Sequence, residues 1–416
     1  MSFRSFRNAG HAPTLLSAFL YFDVSFMIWV ILGPLGPFIG ETLKLSAAQK
    51  GFLTAVPLLG GSFFRLLLGA CTERFGSRRT ALTGMALTLV PLLIGWKFAA
   101  GFAGLLGMGV LLGISGASFA AALPLASGWY PPECQGLAMG IAGAGNSGTL
   151  MASLFAPRLA QIFGWHNVFA FVSIPLIIVW VVFYLLAKDA PVQRSVKTWT
   201  DYASVLKIPD SGWFCFLYSL TFGGFSGFAS YLSIFFRDQY GVSRVTAGDL
   251  TTLVVLFGSF LRPIGGVLAD RIGGYRMLLV LFAIAILALA LLTALPATAI
   301  AVTLFVVLMA MLGMGNGSVF QLVPQRFPDH IGMVTGLVGA AGGLGGFMLP
   351  SLMGLLKERT GSFATGFAVT AGLFTFGLSA LLWLKTIWRQ SWTPIAAERA
   401  GLLSTEPATA SSYATD

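Results

Sequence analysis

Charge is what this chain lacks most. Only 10% of its 416 residues are Asp, Glu, Lys or Arg, where a soluble domain carries about a quarter. That deficit excludes an ordinary water-exposed surface and, with it, a typical cytosolic enzyme. Cysteine is scarce as well: Cys71, Cys134 and Cys215 stand singly in or beside apolar segments, with no CxxC pair. Neither a disulfide framework nor a thiolate metal site is supported. The three histidines, His11, His166 and His330, fall singly near expected helix ends. No metal, no cofactor and no nucleophile–base set is therefore expected, and catalysis is the least supported class of function. The net charge of +10 is spread through short loops without an interleaved aromatic stripe, which excludes a nucleic-acid footprint.

What remains is 56% hydrophobic, with a mean hydropathy of +0.84. A bilayer-spanning helix needs about 20 apolar residues. Charged and Pro/Gly punctuation divides the chain into twelve candidate spans, at 13–39, 50–71, 80–97, 101–128, 135–157, 165–187, 212–236, 247–269, 276–294, 299–323, 332–356 and 363–386. The expected fold class is an all-α membrane protein set in a lipid bilayer. Its first apolar run is too long for a signal-peptide core and has no small-residue cleavage pattern. One long polar interval, Ala187 to Ser211, separates six spans from six. The expected organisation is an N-terminal half over 1–187, a cytoplasmic linker over 188–211, a C-terminal half over 212–389 and a disordered cytoplasmic tail over 390–416. Of the 25 Lys and Arg residues, fifteen fall on the side of the N-terminus, eight on the opposite side and two within spans. That imbalance places both termini in the cytoplasm.

The halves repeat. SFFRLLLGACTERFGSRR around the second span matches SFLRPIGGVLADRIGGYR around the eighth at a constant offset. It aligns Arg65 with Arg262, Glu73 with Asp270, Arg74 with Arg271 and Gly76 with Gly273. GASFAAALP (Gly116 to Pro124) matches GNGSVFQLVP (Gly315 to Pro324), pairing Phe119 with Phe320. Gly136, Gly140 and Gly143 pair with Gly332, Gly336 and Gly339. Two pseudo-symmetric six-helix halves with a site between them are a transporter architecture, and alternating access fits a duplication that a channel does not need. A non-transporting sensor would call for a signalling domain, for which the linker leaves no room.

Arg65 and Arg262 are the strongest clue, because an ionisable residue inside a span faces a cavity by default. Snorkelling is the alternative, since about seven residues, roughly 10 Å, separate each from its helix end. It does not explain why both halves place an arginine at one repeat position. Two guanidiniums from facing halves form a clamp for a small oxyanion. Asp23 is the intramembrane carboxyl candidate: a proton carrier, a fixed counter-ion, or a hydrated group near one mouth. The glycine-rich runs Gly136 to Gly148 and Gly332 to Gly346 allow close helix contact, and their density also suits close approach to substrate or sliding. Asn146, whose repeat equivalent is Gly342, can donate to an anion or bridge helices. Phe119, Phe320 and Tyr218 are either pocket walls or ordinary core and lipid-facing aromatics. Glu73, Arg74, Asp270 and Arg271 are solvated loop charges or, given their repetition, a gate that pairs in one state.

GACTERFGSRR resembles the G-x-x-x-D-R-x-G-R-R loop signature of the major facilitator superfamily, with Glu73 in place of Asp and Ser77 in place of an Arg. AGAGNSG (Ala142 to Gly148), WFCFLYSLTFGGFSGF (Trp213 to Phe228), GNGSVFQLVPQRF (Gly315 to Phe327) and the second glycine run resemble the nitrate/nitrite porter family within it. The resemblance implies nitrate or nitrite as substrate, in a bacterial inner membrane. It implies Arg65 and Arg262 as anion ligands, Phe119 and Phe320 as the aromatics that sandwich the anion, and Asn146 and Tyr218 as polar contacts. Gly143, Gly145, Gly339 and Gly343 fall in the two signature helices. The family contains nitrate/nitrite exchangers and nitrate–proton symporters. Exchange is the expected mode, because an empty carrier with two uncompensated cations resists closure. Proton-coupled symport of nitrate or a small monocarboxylate such as formate is the alternative, with Asp23 as its titrating group.

Overall fold

A computed structural model describes residues 9–99, 101–189, 205–328 and 331–403, and all regular structure among them is helical. Among the described residues the chain makes twelve helical passes. The first is α1 (Ala12–Trp29) continued by α2 (Leu32–Thr42); the second and third are α3 (Ala47–Phe75) and α4 (Ser77–Lys97). The fourth joins α5 (Phe102–Gly116) to α6 (Phe119–Ser127). In the fifth, a 3-10 turn (Ala144–Ser147) links α7 (Pro132–Gly143) to α8 (Gly148–Phe163), and α9 (Trp165–Leu186) is the sixth. The seventh carries a π turn (Ser219–Gly223) between α10 (Pro209–Tyr218) and α11 (Gly224–Tyr240). The last five are α12 (Arg244–Ile272), α13 (Gly274–Leu292), α14 (Thr298–Arg326), α15 (Ile331–Thr360) and α16 (Ala364–Ser391). Ten passes are long and apolar enough to cross a membrane; the fifth and seventh, cut by their turns, fall outside that ten.

The repeat read in the sequence sets the geometry of the two arginine helices. Both α3 and α12 have 29 residues. Each starts at a serine, Ser46 or Ser243, whose side chain accepts a bond from the N3 backbone, of Gln49 and Thr246 respectively. Each stops at a glycine with positive φ, +88° at Gly76 and +90° at Gly273, a conformation that a Cβ penalises. Arg65 and Arg262 consequently sit at the same height, eighteen residues after the first residue of their helices. The helices run further than hydropathy suggested, so each arginine is ten residues from its nearer helix end. That distance is about 15 Å at 1.5 Å per residue, half as long again as the sequence estimate.

Glycine lets the helices within each half cross closely. A Cβ on Gly113 would overlap the Gly60–Gly61 backbone, and one on Gly313 would overlap Gly258. The first pass breaks after Trp29 because Pro34 has no N–H for the Val30 carbonyl; Gly33 takes that carbonyl instead, at 2.9 Å.

The expected disorder over 390–416 fails for its first part. The helix of the twelfth pass continues to Ser391, and α17 (Pro394–Arg399) follows. Thr393 caps it and Pro394 opens it, a start signal masked by the small, polar composition around it. Ala400 accepts a bond from the Tyr275 backbone at 3.0 Å, and Arg276 donates to the Gly401 carbonyl at 2.9 Å and to that of Leu403. In the other half, Ala187 and Asp189 make the matching contacts, with the Arg78 side chain and backbone. Positions 404–416 of the tail and 190–204 of the linker lie outside the described residues.

Candidate functional site

Arg65 is 4% exposed and does not snorkel. One Nη donates to the Gly339 carbonyl of α15, and the other to the Gly116 carbonyl of α5 at 3.0 Å. A buried guanidinium is costly unless hydrogen-bonded; here two carbonyls, one from either side of the linker, hold it, and its Nε has no partner. Its carbon lies 5.3 Å from the Phe119 ring centroid, 5.7 Å from Phe222 and 5.9 Å from Trp29. Arg262 reaches the same Phe119 ring at 6.0 Å, and one of its buried Nη atoms is unpartnered. Among the described residues, no carboxylate forms a salt bridge with either arginine.

Phe119 and Phe320 stack with centroids 6.3 Å apart and planes tilted by 21°. A planar anion between them needs a contact gap of about 3.5 Å on each face, so the rings part by somewhat under an ångström to admit it. Tyr218 is buried against Phe320 at 4.8 Å and Phe222 at 5.2 Å. Its hydroxyl lies within electrostatic reach of both Arg262 and Arg65. Asn146, fully buried in the 3-10 turn, is oriented so that its nitrogen donates to the carbonyls of Gly143 (3.2 Å) and Ala144 (3.3 Å). Gly342, its repeat equivalent, is small because the Tyr218 ring lies 2.6 Å from where a Cβ would stand. The structure thus brings Arg65, Arg262, Phe119, Phe320 and Tyr218 together, while the Asn146 amide serves its own turn.

The glycine runs divide by role. Gly339 faces Arg65, with 3.1 Å from a would-be Cβ to Nη1, and Gly343 packs on Ser62 and Leu58 of α3. Gly145 sits on the backbone of Phe19 and Asp23, and Gly143 has nothing within 4 Å. Asp23 accepts a 2.7 Å bond from Ser147 at the end of the 3-10 turn, which ties the first pass to the fifth.

One end of the bundle is sealed by charge. Glu41 pairs with Arg237 (3.0 Å) and Arg244 (3.2 Å), Lys50 with Asp238 (2.8 Å) and Arg158 with Asp249 (2.6 Å). Glu358 accepts from Ala48 N at 2.8 Å and from Ser46. Each contact joins a residue before the linker to one after it. At the other end, Gly140, Gly332 and Gly336 face open space. Arg74 lies over its neighbour Phe75 at 5.5 Å, and Asp270 and Arg271 border a cavity of about 390 Å³ with α17. These four ion pairs, which join the two sides of the linker, are therefore not at the loop motifs that sequence reasoning singled out.

A sequence profile described as Major Facilitator Superfamily matches residues 15–350 and 215–412. The chain belongs to the major facilitator superfamily. It is 35% identical to the probable nitrate/nitrite transporter NarK2 of Mycobacterium tuberculosis, over 83% of this chain and 89% of that one. To the nitrite extrusion protein of Bacillus subtilis it is 32% identical, over 86% and 91%. Its fold is similar to that of a bacterial homologue of the human lysosomal transporter Spinster, at TM-score 0.72 and 18% identity over 91% and 98%. A D-xylose–proton symporter gives 0.72 at 16% identity over 92% and 98%.

Within this superfamily fold, sequence reasoning missed Trp29 and Phe222. Trp29 donates its indole N–H to the Pro57 carbonyl at 2.6 Å, and Phe222 stacks on it with centroids 6.3 Å apart. With 36 phenylalanines in the chain, only repetition between halves raised an aromatic above the background, and the repeat matches cover neither the first pass nor the seventh. The signal available was position: Trp29 stands just before the Pro34 break, and Phe222 lies in WFCFLYSLTFGGFSGF.

Proposed function

We propose that this chain carries nitrate, nitrite or both across a bacterial cytoplasmic membrane by rocker-switch alternating access, with exchange of the two as its mode. The observation that carries the reading is the meeting of two repeat-matched arginines, one buried and one half-buried, at the Phe119–Phe320 pair, with no carboxylate bridge to either among the described residues. A site with surplus buried positive charge and aromatic walls selects a small anion, and guanidinium geometry favours one with planar oxygens. The names of the relatives, nitrate/nitrite transporter and nitrite extrusion protein, agree with that chemistry.

In this reading Arg65 and Arg262 supply the charge and Phe119 and Phe320 the dry faces. Tyr218 supplies a polar contact, Asn146 holds the 3-10 turn beside the site through its own amide, and Gly143, Gly145, Gly339 and Gly343 form the seam. Residues 1–187 and 212–389 are the two rocking units. The excess of Lys and Arg on one side puts both termini in the cytoplasm, so the sealed end is periplasmic and the open end faces the cytoplasm. Glu73, Arg74, Asp270 and Arg271 then pair in the opposite state, when the open end closes.

Counterflow of labelled nitrate into proteoliposomes loaded with nitrate, nitrite, formate or nothing, with and without an inward proton gradient, tests the reading. Acceleration by internal nitrate or nitrite alone is the expected result. Uptake into empty vesicles driven by protons would replace exchange with symport and turn attention to Asp23. No movement of either anion through folded protein would overturn the substrate assignment.

A further inference from the structure

Asn316 lies on α14 and is 0% exposed, yet neither its Oδ1 nor its Nδ2 has a hydrogen-bond partner. Burying a carboxamide with its polar atoms unsatisfied is costly, so a fold seldom keeps one unless something else completes it. The repeat shows that the fold does not need it. The offset that aligns Phe119 with Phe320 aligns Ser115 with Asn316, and the Ser115 hydroxyl is satisfied by the Leu112 carbonyl at 2.6 Å.

Helix geometry says where the amide points. A Cβ on Gly315 would meet Thr221 Cγ2 of the π turn at 2.7 Å, and one on Gly317 would meet the Arg262 carbonyl at 2.8 Å. At about 100° per residue, Asn316 projects into the wedge between those two directions. Phe320, four residues on, projects within about 40° of it. Asn316 is thus one turn along α14 from the Phe320 wall and on the same face. The hydroxyls of Thr221 and Ser259 and an Nη of Arg262 are also buried and unpartnered, and these residues belong to the elements that bound the wedge. Asn146, by contrast, spends its amide N–H groups on its own turn.

We infer that Asn316 is a specificity-determining residue of the anion site, donating through Nδ2 to a substrate oxygen while Oδ1 accepts from a hydroxyl or guanidinium of the same wedge. This rests on the anion reading given above. A three-oxygen anion has an oxygen left for the amide once both arginines are engaged, so the contact weighs more for nitrate than for nitrite.

The test compares Asn316→Leu, similar in size but apolar, with the unaltered protein, reading nitrate and nitrite affinity and thermal stability in detergent. Expected are an unchanged or raised Tm, a loss of at least tenfold in nitrate affinity, and a smaller loss for nitrite. An unchanged affinity with a lowered Tm would overturn the inference and make Asn316 a packing residue. Should Asn316→Leu not fold, Asn316→Ser is judged by the same affinity criterion. If the unaltered, folded protein binds neither anion, the functional reading fails rather than this one alone.

Discussion

The sealed end offers the sharpest quantitative prediction. The Lys50–Asp238 pair is 2.8 Å long with side chains only 16% and 24% exposed, so it belongs near the upper end of solvent-accessible pairs, about 1 kcal/mol. Glu41 meets two arginines at 3.0 and 3.2 Å with side chains 34–43% exposed, about 0.5 kcal/mol each. Neutralising both anchors in the double variant Glu41→Gln/Lys50→Gln removes about 2 kcal/mol from the state with this end closed. At 1.4 kcal/mol per tenfold, that is a shift of about 30-fold in the ratio of closed to open forms. Spin labels on the exposed Thr42 and Thr360, one before and one after the linker, report the separation at this end once Cys71, Cys134 and Cys215 are replaced. The long-distance population should rise in the variant. In the unaltered pairs, salt near 1 M, where the screening length is about 3 Å, should raise it in the same direction. A distance distribution that the double variant leaves unchanged at low salt would refute the claim that these ion pairs bias the equilibrium.

Four further outcomes follow from the same structure. Arg65→Lys keeps the charge but cannot hold Gly116 and Gly339 together and still present a planar fork; each lost bond to a charged group is worth about 1.5–3 kcal/mol. Nitrate counterflow should show KM raised at least tenfold, and an unchanged KM would mean that charge alone suffices. Gly313→Val forces a branched side chain into the Gly258 backbone and should lower the Tm by overpacking, at a cost of about 1–3 kcal/mol or more. Gly143→Ala, in open space, should leave the Tm where it is. Asp23→Asn keeps an acceptor for Ser147 and should preserve exchange with an unaltered pH profile; loss of proton-driven uptake would instead make Asp23 a carrier.

Repetition made the fold and half of the site legible. A single span with an arginine is ambiguous, but two spans with arginines at one offset are not, and the structure reproduces that offset down to the capping serines and terminal glycines of α3 and α12. Residues that the repeat does not match to their own kind stayed hidden. Trp29, Phe222 and Asn316 depend on how α1, the π turn and α14 rotate against their neighbours, which pattern does not specify. The charged ring failed to stand out for a different reason. Its members are loop-proximal charges scattered from Glu41 to Glu358, and only the approach of the halves makes pairs of them. The loop motifs, close in sequence and repeated, carried the stronger signal but none of the ion pairs of the sealed end.

The two arginines are alike in sequence and unlike in the fold, and that difference sharpens the argument for exchange. Arg65 needs no anion to be buried, because carbonyls from both sides of the linker, Gly116 and Gly339, already solvate it. Its charge therefore opposes closure less than a bare pair of cations would. Arg262 is half-buried and leaves a buried Nη without a partner, beside the neutral Tyr218 and Phe119 face and within reach of the like charge of Arg65. The obstacle to moving the empty carrier thus concentrates on Arg262. Closing the open end would take that group further from water, and an uncompensated buried charge costs several kcal/mol. An anion shared by both guanidiniums removes that cost and draws α12 toward α3. The coupling of movement to occupancy then follows from the unequal satisfaction of two matched side chains, with no titrating group required.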